Sequence, residues 1–334
     1  MGLKVLFLQQ MAEPLQSYFQ EKLSDLGIDL IFLEDPTEEE LEIQARDADV
    51  LIGWRPEYQL LKRAVRAKVF INPGVGVKRH IEPFRKLNAS REEPLILING
   101  HGNAYFTAEH AVALLLALYN KIVPYHNNMV SGGWRENDPG SSLTLRHKMI
   151  GLLGYGAINR YVHQFLRGFE VQFSALKRTW SEDIDDLVQY TPDQLHDFLD
   201  SIDILILALP HTQDTEGMIG ETELQLLGKE AVVINVARGV IIDEQAFFTA
   251  LAQHQIAGAG IDVWYNYEPT PDENGAKYPA DYKFHELDNV VLSPHRAASP
   301  FEDLQRWDEQ IENIRRIAGG RTDLLNIVDL DREY

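Results

Sequence analysis

Short apolar runs alternate with helical patterns along most of this chain, and this alternation restricts the fold more than any other feature. In the first hundred residues the runs are KVLFL, DLIFL, DVLIGW, KVFIN and LILIN, at positions 4–8, 29–33, 49–54, 68–72 and 95–99. The segment PLQSYFQEKLSDLG, between the first two runs, has helical spacing and ends at Gly27, which suits a helix C-terminus. Short buried strands separated by helices predict βα units around a parallel sheet.

A second series of the same kind follows residue 148. Its strand candidates are MIGLL, VQFSAL, ILILAL, AVVINV, GAGIDV and VVLSP, at positions 149–153, 171–176, 204–209, 231–236, 258–263 and 290–294. Between the two series, residues 104–130 are apolar enough to predict one long buried helix, with a loop rich in Gly, Ser and Pro at 131–142. A closing helix is predicted over 301–320. We therefore predict a two-lobed α/β protein whose ligands bind at the carboxyl ends of the strands, in a cleft between the lobes.

The composition excludes several classes of function. The chain has no cysteine, so it lacks disulfides, thiolate metal sites and cysteine nucleophiles, and no metal site is predicted. A formal charge of −20 repels nucleic acid over most of the surface. The longest apolar run, at 111–119, is far shorter than the ~20 residues that span a bilayer, and the N-terminus has no secretory pattern. We expect a cytoplasmic protein that needs a local basic pocket to bind an anion.

The stretch GLLGYGAIN, residues 151–159, has the glycine spacing of a loop that binds dinucleotide phosphates. An apolar strand precedes Gly154 and a helical pattern follows Gly156, which is the context that such a loop requires. The first glycine permits the tight turn, and the second lets a pyrophosphate approach the N–H groups at the helix start. Asn159 stands in place of a third glycine, and we expect it to weaken helix–strand packing without removing a phosphate donor. The alternative is a plain βα turn.

The end of the next predicted strand indicates which nucleotide binds. Lys177, Arg178 and Thr179 stand where an NAD site usually has an acidic residue for the ribose hydroxyl. Two cations and a hydroxyl suit a ribose 2′-phosphate, which a carboxylate would repel. We therefore predict a preference for NADP(H), with NAD(H) as the alternative cofactor. The opposing interpretation is that these are ordinary surface cations.

Three later motifs supply groups for chemistry. They are NVARGVIIDEQAF (235–247), AGAGIDVWYNYEP (257–269) and SPHRAAS (293–299), and each follows a predicted strand. The sequence here resembles the D-isomer-specific 2-hydroxyacid dehydrogenases, whose catalytic trio matches Arg238, Glu268 and His295. The segments NPGVGV (72–77), GNAYFTAEHAVALLLAL (102–118), LALPHTQDT (207–215) and the NIVDLD near the C-terminus extend the resemblance over nearly the whole chain. Asn159, Lys177 and Lys78 depart from the family pattern.

The resemblance implies a role for each group. His295 would protonate the carbonyl oxygen of a 2-oxoacid during hydride transfer, and Glu268 would hydrogen-bond the imidazole and raise its pKa. Arg238 would bind the substrate carboxylate, and the backbone N–H groups of Val75 and Gly76 would bind it from the other lobe.

The resemblance also implies a set of cofactor contacts and a division into domains. The implied cofactor residues are Thr107, Gly154, Tyr155, Gly156, Ala157, Ile158, Lys177, Arg178, Thr179, Leu209, Pro210, Thr215, Val236, Ala237, Asp262 and His295, with Asp262 at the nicotinamide carboxamide. A Rossmann-type doubly wound nucleotide domain is expected over 101–298. A flavodoxin-like α/β substrate domain is expected over 1–100 and 299–334.

The substrate is predicted from the segment IGWRPEYQ at 52–59. Trp54 and Arg55 resemble the glyoxylate/hydroxypyruvate reductase branch of the family, which favours small, polar 2-oxoacids. Trp54 could instead be a core or interface aromatic residue. Two other activities stay open on the same scaffold, a nucleotide-sensing corepressor and a dehydrogenase of phosphite or another acid. The resemblance further implies a homodimer.

Overall fold

The structure is a computed structural model that describes residues 2–136 and 140–334. The chain divides into two compact units, one formed by Met1–Asn103 with Pro300–Tyr334 and the other by Ala104–Ser299. Of the loop predicted at 131–142, residues 137–139 lie outside the described part.

The first unit contains a five-stranded parallel sheet with the strand order β2-β1-β3-β4-β5. This is the flavodoxin-like order, in which the switch point lies between β1 and β3. The strands are β1 Leu3–Phe7, β2 Ile28–Ile31, β3 Val50–Ile52, β4 Val69–Asn72 and β5 Ile96–Asn99. The helices are α1 Glu13–Lys22, α2 Glu38–Asp47, α3 Tyr58–Arg63, α4 Lys78–Asn88 and α11 Asp308–Ala318.

The second unit contains a seven-stranded parallel sheet with the order β12-β11-β10-β9-β6-β7-β8. Counted within the unit, this is the Rossmann order with one added strand, and the switch point lies between β6 and β9. The strands are β6 Met149–Leu153, β7 Gln172–Leu176, β8 Val188–Tyr190, β9 Ile204–Leu207, β10 Val232–Asn235, β11 Gly258–Ile261 and β12 Val290–Leu292. The helices are α5 Ala104–Tyr119, α6 Ile122–Val130, α7 Ala157–Leu166, α8 Leu195–Asp200, α9 Glu221–Leu227 and α10 Glu244–Ala252.

Each sheet is covered on both faces, which explains why its strands are apolar runs without alternation. In β3, Leu51 packs into one core of the first unit, whereas Val50 and Ile52 pack into the other. In β10 of the second unit, Val233 and Ile234 are likewise assigned to opposite cores. The α/β class predicted from the apolar runs is confirmed.

The prediction of one continuous helix over 104–130 is wrong. The helix ends at Tyr119, and α6 starts at Ile122 with a bend of 63° between the two helices. Lys121 has a left-handed backbone at φ 51°. Pro124 has no N–H for the carbonyl of Asn120 and would collide with it in a continuous helix, so the chain turns there. Within the described residues no single helix is long and apolar enough to cross a membrane, although this bent pair passes that test by length and composition.

Two further details differ from the sequence predictions. The strand β8, Val188–Tyr190, extends the second sheet beyond β7 and was not predicted. The closing segment predicted as one helix over 301–320 begins with a 3₁₀ turn at Leu304–Trp307 and becomes α-helical only at Asp308.

Candidate active site

The predicted phosphate loop connects β6 to α7 beside the switch point of the second sheet. Gly154 has φ 83°, and a Cβ atom there would lie 2.7 Å from the carbonyl oxygen of Ala208 and 2.8 Å from Cβ of Leu209, so glycine is required. Gly156 precedes the helix and has open space where its Cβ would stand. Within the described chain the N–H groups of residues 155–158 donate to no acceptor. The turn therefore fits a dinucleotide phosphate at a helix N-terminus.

Asn159 corrects one expectation, because it strengthens this turn rather than weakening its packing. The side chain is fully buried, and its Nδ2 donates to the carbonyl oxygens of Gly154 at 2.6 Å and of Leu153 and Ile206 at 3.3 Å. One amide thus ties the phosphate loop to β6 and β9. Its Oδ1 is buried without a partner in the described part of the chain.

The predicted 2′-phosphate residues follow β7 at its carboxyl end. The N–H of Lys177 donates to the Tyr190 carbonyl oxygen at 3.1 Å, and its Nζ lies 5.6 Å from the ring centroid of Trp180. The Trp180 ring lies 5.6 Å from that of Tyr155 in the phosphate loop, which places the two segments side by side. Arg178 pairs with Asp214 at 3.5 Å, and Thr179 is exposed.

The remaining predicted cofactor residues of this unit line the ends of β9 and β10 or lie in α5. The Thr215 hydroxyl donates to the Pro210 carbonyl oxygen at 2.7 Å and accepts from the Thr212 N–H at 2.8 Å, so it fixes the turn that follows β9. The other members are the partly buried Leu209 and the buried Thr107, Val236 and Ala237.

Arg238 stands on the turn that follows β10. Asn235, which is 1% exposed, shapes this turn by accepting from the Ala237 N–H at 3.0 Å and donating to the Arg238 carbonyl oxygen at 3.1 Å. The Arg238 guanidinium donates to the Ala237 carbonyl oxygen at 2.6 Å, and its charge lowers the pKa of His295. Arg238 and His295 therefore lie within the range over which their charges interact.

Asp262 holds the turn that carries His295. Its carboxylate accepts hydrogen bonds from the Ser293 hydroxyl and from the N–H groups of Arg296, at 2.7 Å, and Ala297, at 3.0 Å. Nε2 of His110 lies 2.9 Å from the Ser293 hydroxyl and 3.5 Å from the carboxylate. Burial alone would raise the pKa of Asp262, but these hydrogen bonds outweigh it and lower the pKa.

This network surrounds a strained residue. His295 has φ 54°, a left-handed conformation that a side chain rarely adopts, and Ser293 and Arg296 on either side of it are bonded to Asp262. His295 is exposed on this turn. Asp262 therefore positions His295, in addition to the nicotinamide contact that the family resemblance implies.

The prediction for the His295 pKa is wrong. Partial burial and the Arg238 charge lower the pKa of His295, and the Asp262 charge opposes them without outweighing them. Glu268 is exposed, and within the described residues neither its carboxylate nor the imidazole forms a hydrogen bond or ion pair. The ring of Tyr267 instead lies against the imidazole, with 5.2 Å between ring centroids.

In the first unit, two buried amides shape the loop predicted to bind the substrate carboxylate. Asn72 donates from Nδ2 to the carbonyl oxygens of Gly74 at 2.6 Å and Gly76 at 3.3 Å. Asn99, its partner on the neighbouring strand, donates to the carbonyl oxygen of Val75 at 2.9 Å. The loop carbonyls are thus held by side chains, while the N–H groups of Val75 and Gly76 have no acceptor in the described chain. Two adjacent N–H groups of this kind suit an anion.

These asparagines and Asn235 were missed in the sequence. A signal was present, because β4, β5 and β10 each end in an asparagine after a run of apolar residues. A buried amide at the carboxyl end of a parallel strand can fix the loop that follows it.

The other predicted residues of the first unit lie on separate loops. Trp54 follows β3, is 41% exposed and packs edge-on against Trp307 with 5.6 Å between ring centroids. Arg55 beside it is exposed. Lys78, the departure noted after the glycine loop, forms an ion pair of 2.6 Å with Glu333.

Comparison with protein families and sequences identifies the chain's relatives. Residues 112–297, more than half of the chain, match the D-isomer specific 2-hydroxyacid dehydrogenase, NAD binding domain. A glyoxylate reductase of Pyrococcus furiosus is 31% identical over 291 residues, which cover 83% of this chain and 81% of that protein. A D-3-phosphoglycerate dehydrogenase of Archaeoglobus fulgidus is 28% identical over 87% of this chain, which spans only 53% of that relative's length.

Solved structures agree on the fold. The structure of a D-isomer specific 2-hydroxyacid dehydrogenase from Xanthobacter autotrophicus Py2 in complex with NADPH and MES has a TM-score of 0.79 at 22% identity, with 100% of both chains covered. Both sheet orders, the phosphate turn and the family match agree, and the chain belongs to the D-isomer specific 2-hydroxyacid dehydrogenase family.

Proposed function

We propose that this protein reduces a small 2-oxoacid of the glyoxylate/hydroxypyruvate type to the D-2-hydroxyacid, with NADP(H) as its preferred cofactor. The observation that carries the proposal is the arrangement at the carboxyl ends of β10 to β12. An arginine and a histidine lie close enough there for the charge of one to shift the pKa of the other. The name of the Pyrococcus furiosus relative supports the substrate class.

In this proposal NADP(H), held by the phosphate turn and by Lys177 and Arg178, would supply or take up the hydride at the carbonyl carbon of the substrate. Arg238 binds the carboxylate of the oxoacid and polarises its carbonyl through its planar set of donors. The imidazole of His295 delivers the proton to the carbonyl oxygen and takes it back in the reverse direction. Asp262 holds the His295 turn, and the N–H groups of Val75 and Gly76 act as a further carboxylate site.

The cofactor preference is supported by charge. Lys177 and Arg178 lie beside the phosphate turn of a chain whose formal charge is −20. A dianionic 2′-phosphate gains charge-assisted hydrogen bonds from these cations, and the ribose hydroxyl of NADH gains much less. The NADPH bound to the Xanthobacter structure is consistent with this proposal.

Initial rates test the proposal directly. NADPH and NADH are each assayed with glyoxylate, hydroxypyruvate, pyruvate, phenylpyruvate and 3-phosphohydroxypyruvate, the last because one relative is a phosphoglycerate dehydrogenase. We expect the highest kcat/KM with NADPH and the two smallest polar oxoacids. His295→Ala should lower kcat by about 10²–10⁴-fold. Equal efficiency with NADH would contradict the cofactor assignment. Activity confined to bulky oxoacids would contradict the substrate assignment.

A corepressor-like role is distinguished by the same assay, because such a protein would bind the nucleotide without turning over any oxoacid. Oxidation of phosphite or formate would appear as NADP⁺ reduction without a hydroxyacid. We also propose a homodimer, which sedimentation of the purified protein tests.

A further inference from the structure

Tyr267 and Glu268 are neighbours in the loop after β11, and only one of them faces His295. The phenol ring of Tyr267 and the imidazole have their centroids 5.2 Å apart and their planes at 59°. The Glu268 side chain is exposed, and its backbone N–H donates to Oδ1 of Asn266 at 2.9 Å.

The orientation of this loop is set by contacts on both sides of the site. The indole N–H of Trp264 donates to the carbonyl oxygen of Ser293, two residues before His295, at 2.9 Å. The Tyr265 hydroxyl donates to the Ile242 carbonyl oxygen at 3.1 Å, beyond the turn that carries Arg238. A Cβ atom on Gly239 would lie 2.6 Å from the Trp264 backbone, so the Arg238 turn and this loop are in close contact.

Tyr267 is itself fixed within the loop. Its hydroxyl oxygen accepts a hydrogen bond from the Trp264 N–H at 3.3 Å, which limits the rotation of the ring. The ring is 52% exposed, so one side is open and the other meets the imidazole. An anchored aromatic ring of this kind restricts the rotamers of a neighbouring imidazole.

We propose that Tyr267, rather than Glu268, positions the imidazole ring of His295 on the turn that Asp262 holds. Its significance for catalysis rests on the proposed function, whereas the contact itself does not. The groups whose charges act on His295 are Arg238 and Asp262, and Tyr267 contributes an uncharged surface. A neutral neighbour excludes water from the imidazole and does not stabilise the imidazolium as a carboxylate would.

The consequence is a change in the pH range of the reaction. With a pKa below the ordinary histidine value, His295 is mostly neutral at neutral pH. Reduction of the oxoacid needs the protonated ring and becomes slower as the pH rises through that pKa. Oxidation of the hydroxyacid needs the neutral ring and remains supported at neutral pH.

The test measures the His295 pKa directly by NMR titration of the imidazole carbons in the full-length protein, with the resonance assigned by its loss in His295→Asn. The variants are Tyr267→Phe, which keeps the ring, Tyr267→Ala, which removes it, and Glu268→Gln, which removes only the charge. We expect Tyr267→Ala to raise the pKa towards about 6.5. Its kcat should fall by about 10–100-fold with little change in the KM for NADPH. Tyr267→Phe should restore both values.

Other outcomes overturn the inference. If Glu268 were the partner of the imidazole, Glu268→Gln would lower the His295 pKa by about one pH unit or more. An unchanged His295 pKa in Tyr267→Ala would show that the Tyr267 ring does not shield the imidazole from water. Thermal melting of each variant shows that the comparison is between folded proteins. Because the titration needs no substrate, an absence of oxoacid reduction would count against the proposed function and leave this inference to be decided by the NMR result.

Discussion

Replacement of Asn159 by aspartate isolates the amide that ties the phosphate turn to the sheet. The two side chains have nearly the same shape, so the change exchanges only the Nδ2 donor for an oxygen. That nitrogen faces the carbonyl oxygens of Leu153, Gly154 and Ile206, all of which are acceptors. In Asn159→Asp an ionised carboxylate would therefore meet three acceptors in a fully buried position. The new acid should stay protonated in the folded state.

The contacts set the size of the effect. A carboxyl group with an unfolded pKa of about 3.9 costs about 4 kcal/mol when it is held neutral at pH 7, because each pH unit above that pKa costs about 1.4 kcal/mol. The protonated acid regains one donor in place of the two amide protons, which adds about 1 kcal/mol. For a unit of about 200 residues, the total of about 5 kcal/mol should lower the Tm by roughly 10–20 °C at pH 7.

The direction in which the Tm change varies with pH tests the role of Asn159 more sharply than the size of the change does. Because the folded pKa of the new carboxyl lies above its unfolded value, the loss of stability relative to wild type grows as the pH rises above about 4. Calorimetry at pH 5 and pH 7 should therefore show a much larger Tm deficit at pH 7. Asn127→Asp makes the same chemical change at an exposed position of α6 and serves as the control. A variant at Asn159 with wild-type Tm at both pH values would refute the role assigned to the amide.

Three other outcomes follow from the site. Lys177→Asp should lower the NADPH over NADH preference by about 10–100-fold, from the loss of a charge-assisted bond. Lys229 is an exposed residue that precedes β10, at the amino-terminal ends of the strands and away from the cofactor side. Lys229→Asp should therefore leave the preference unchanged in the same kinetic assay. Gly154→Ala should lower the Tm, because the new Cβ meets the Ala208 backbone. Gly156→Ala has free space for its Cβ and should keep the wild-type Tm. It should instead raise the Kd for NADPH, which fluorescence titration measures. Asn72→Ala should raise the KM for oxoacid about 5–10-fold with no change in the Kd for NADPH. An unchanged KM would separate the glycine loop from substrate binding.

The apolar runs predicted the two sheets well because buried parallel strands have a local signature. All five predicted strands of the first unit and six of the seven strands of the second lie within about three residues of the predicted positions. The exception, Val188–Tyr190, is an edge strand of three residues whose side chains are only partly buried or exposed, so no apolar run marks it. The break in the long helix has a local signature too, Pro124, but the prediction was made from the apolar composition of 104–130 alone.

Motifs predicted the positions of the functional loops but not the hydrogen bonds that hold them. Asn159 illustrates the difference, since comparison with the glycine motif shows only that a glycine is missing and not which hydrogen bonds the asparagine forms. Its role depends on the carbonyl of Ile206, which is 47 residues away in the sequence and adjacent in space. Arg238 and His295 were recognisable because their neighbours in sequence form motifs, and their proximity then followed from the strand order.

Tyr267 rather than Glu268 lies against the imidazole for a reason that is outside any local pattern. Consecutive residues of an extended loop point to different sides, so a shift of one position decides whether a carboxylate or a phenol ring meets the imidazole. That position is set by the bonds of Trp264 to the Ser293 carbonyl oxygen and of Tyr265 to the Ile242 carbonyl oxygen, which join segments more than twenty residues apart. A glutamate before a proline shows that the loop has the composition of the family, whereas the anchoring aromatic residues determine which side chain lies beside His295. Exchange of Tyr267 and Glu268 in a double variant would therefore bring a carboxylate to the imidazole and raise the His295 pKa above its wild-type value.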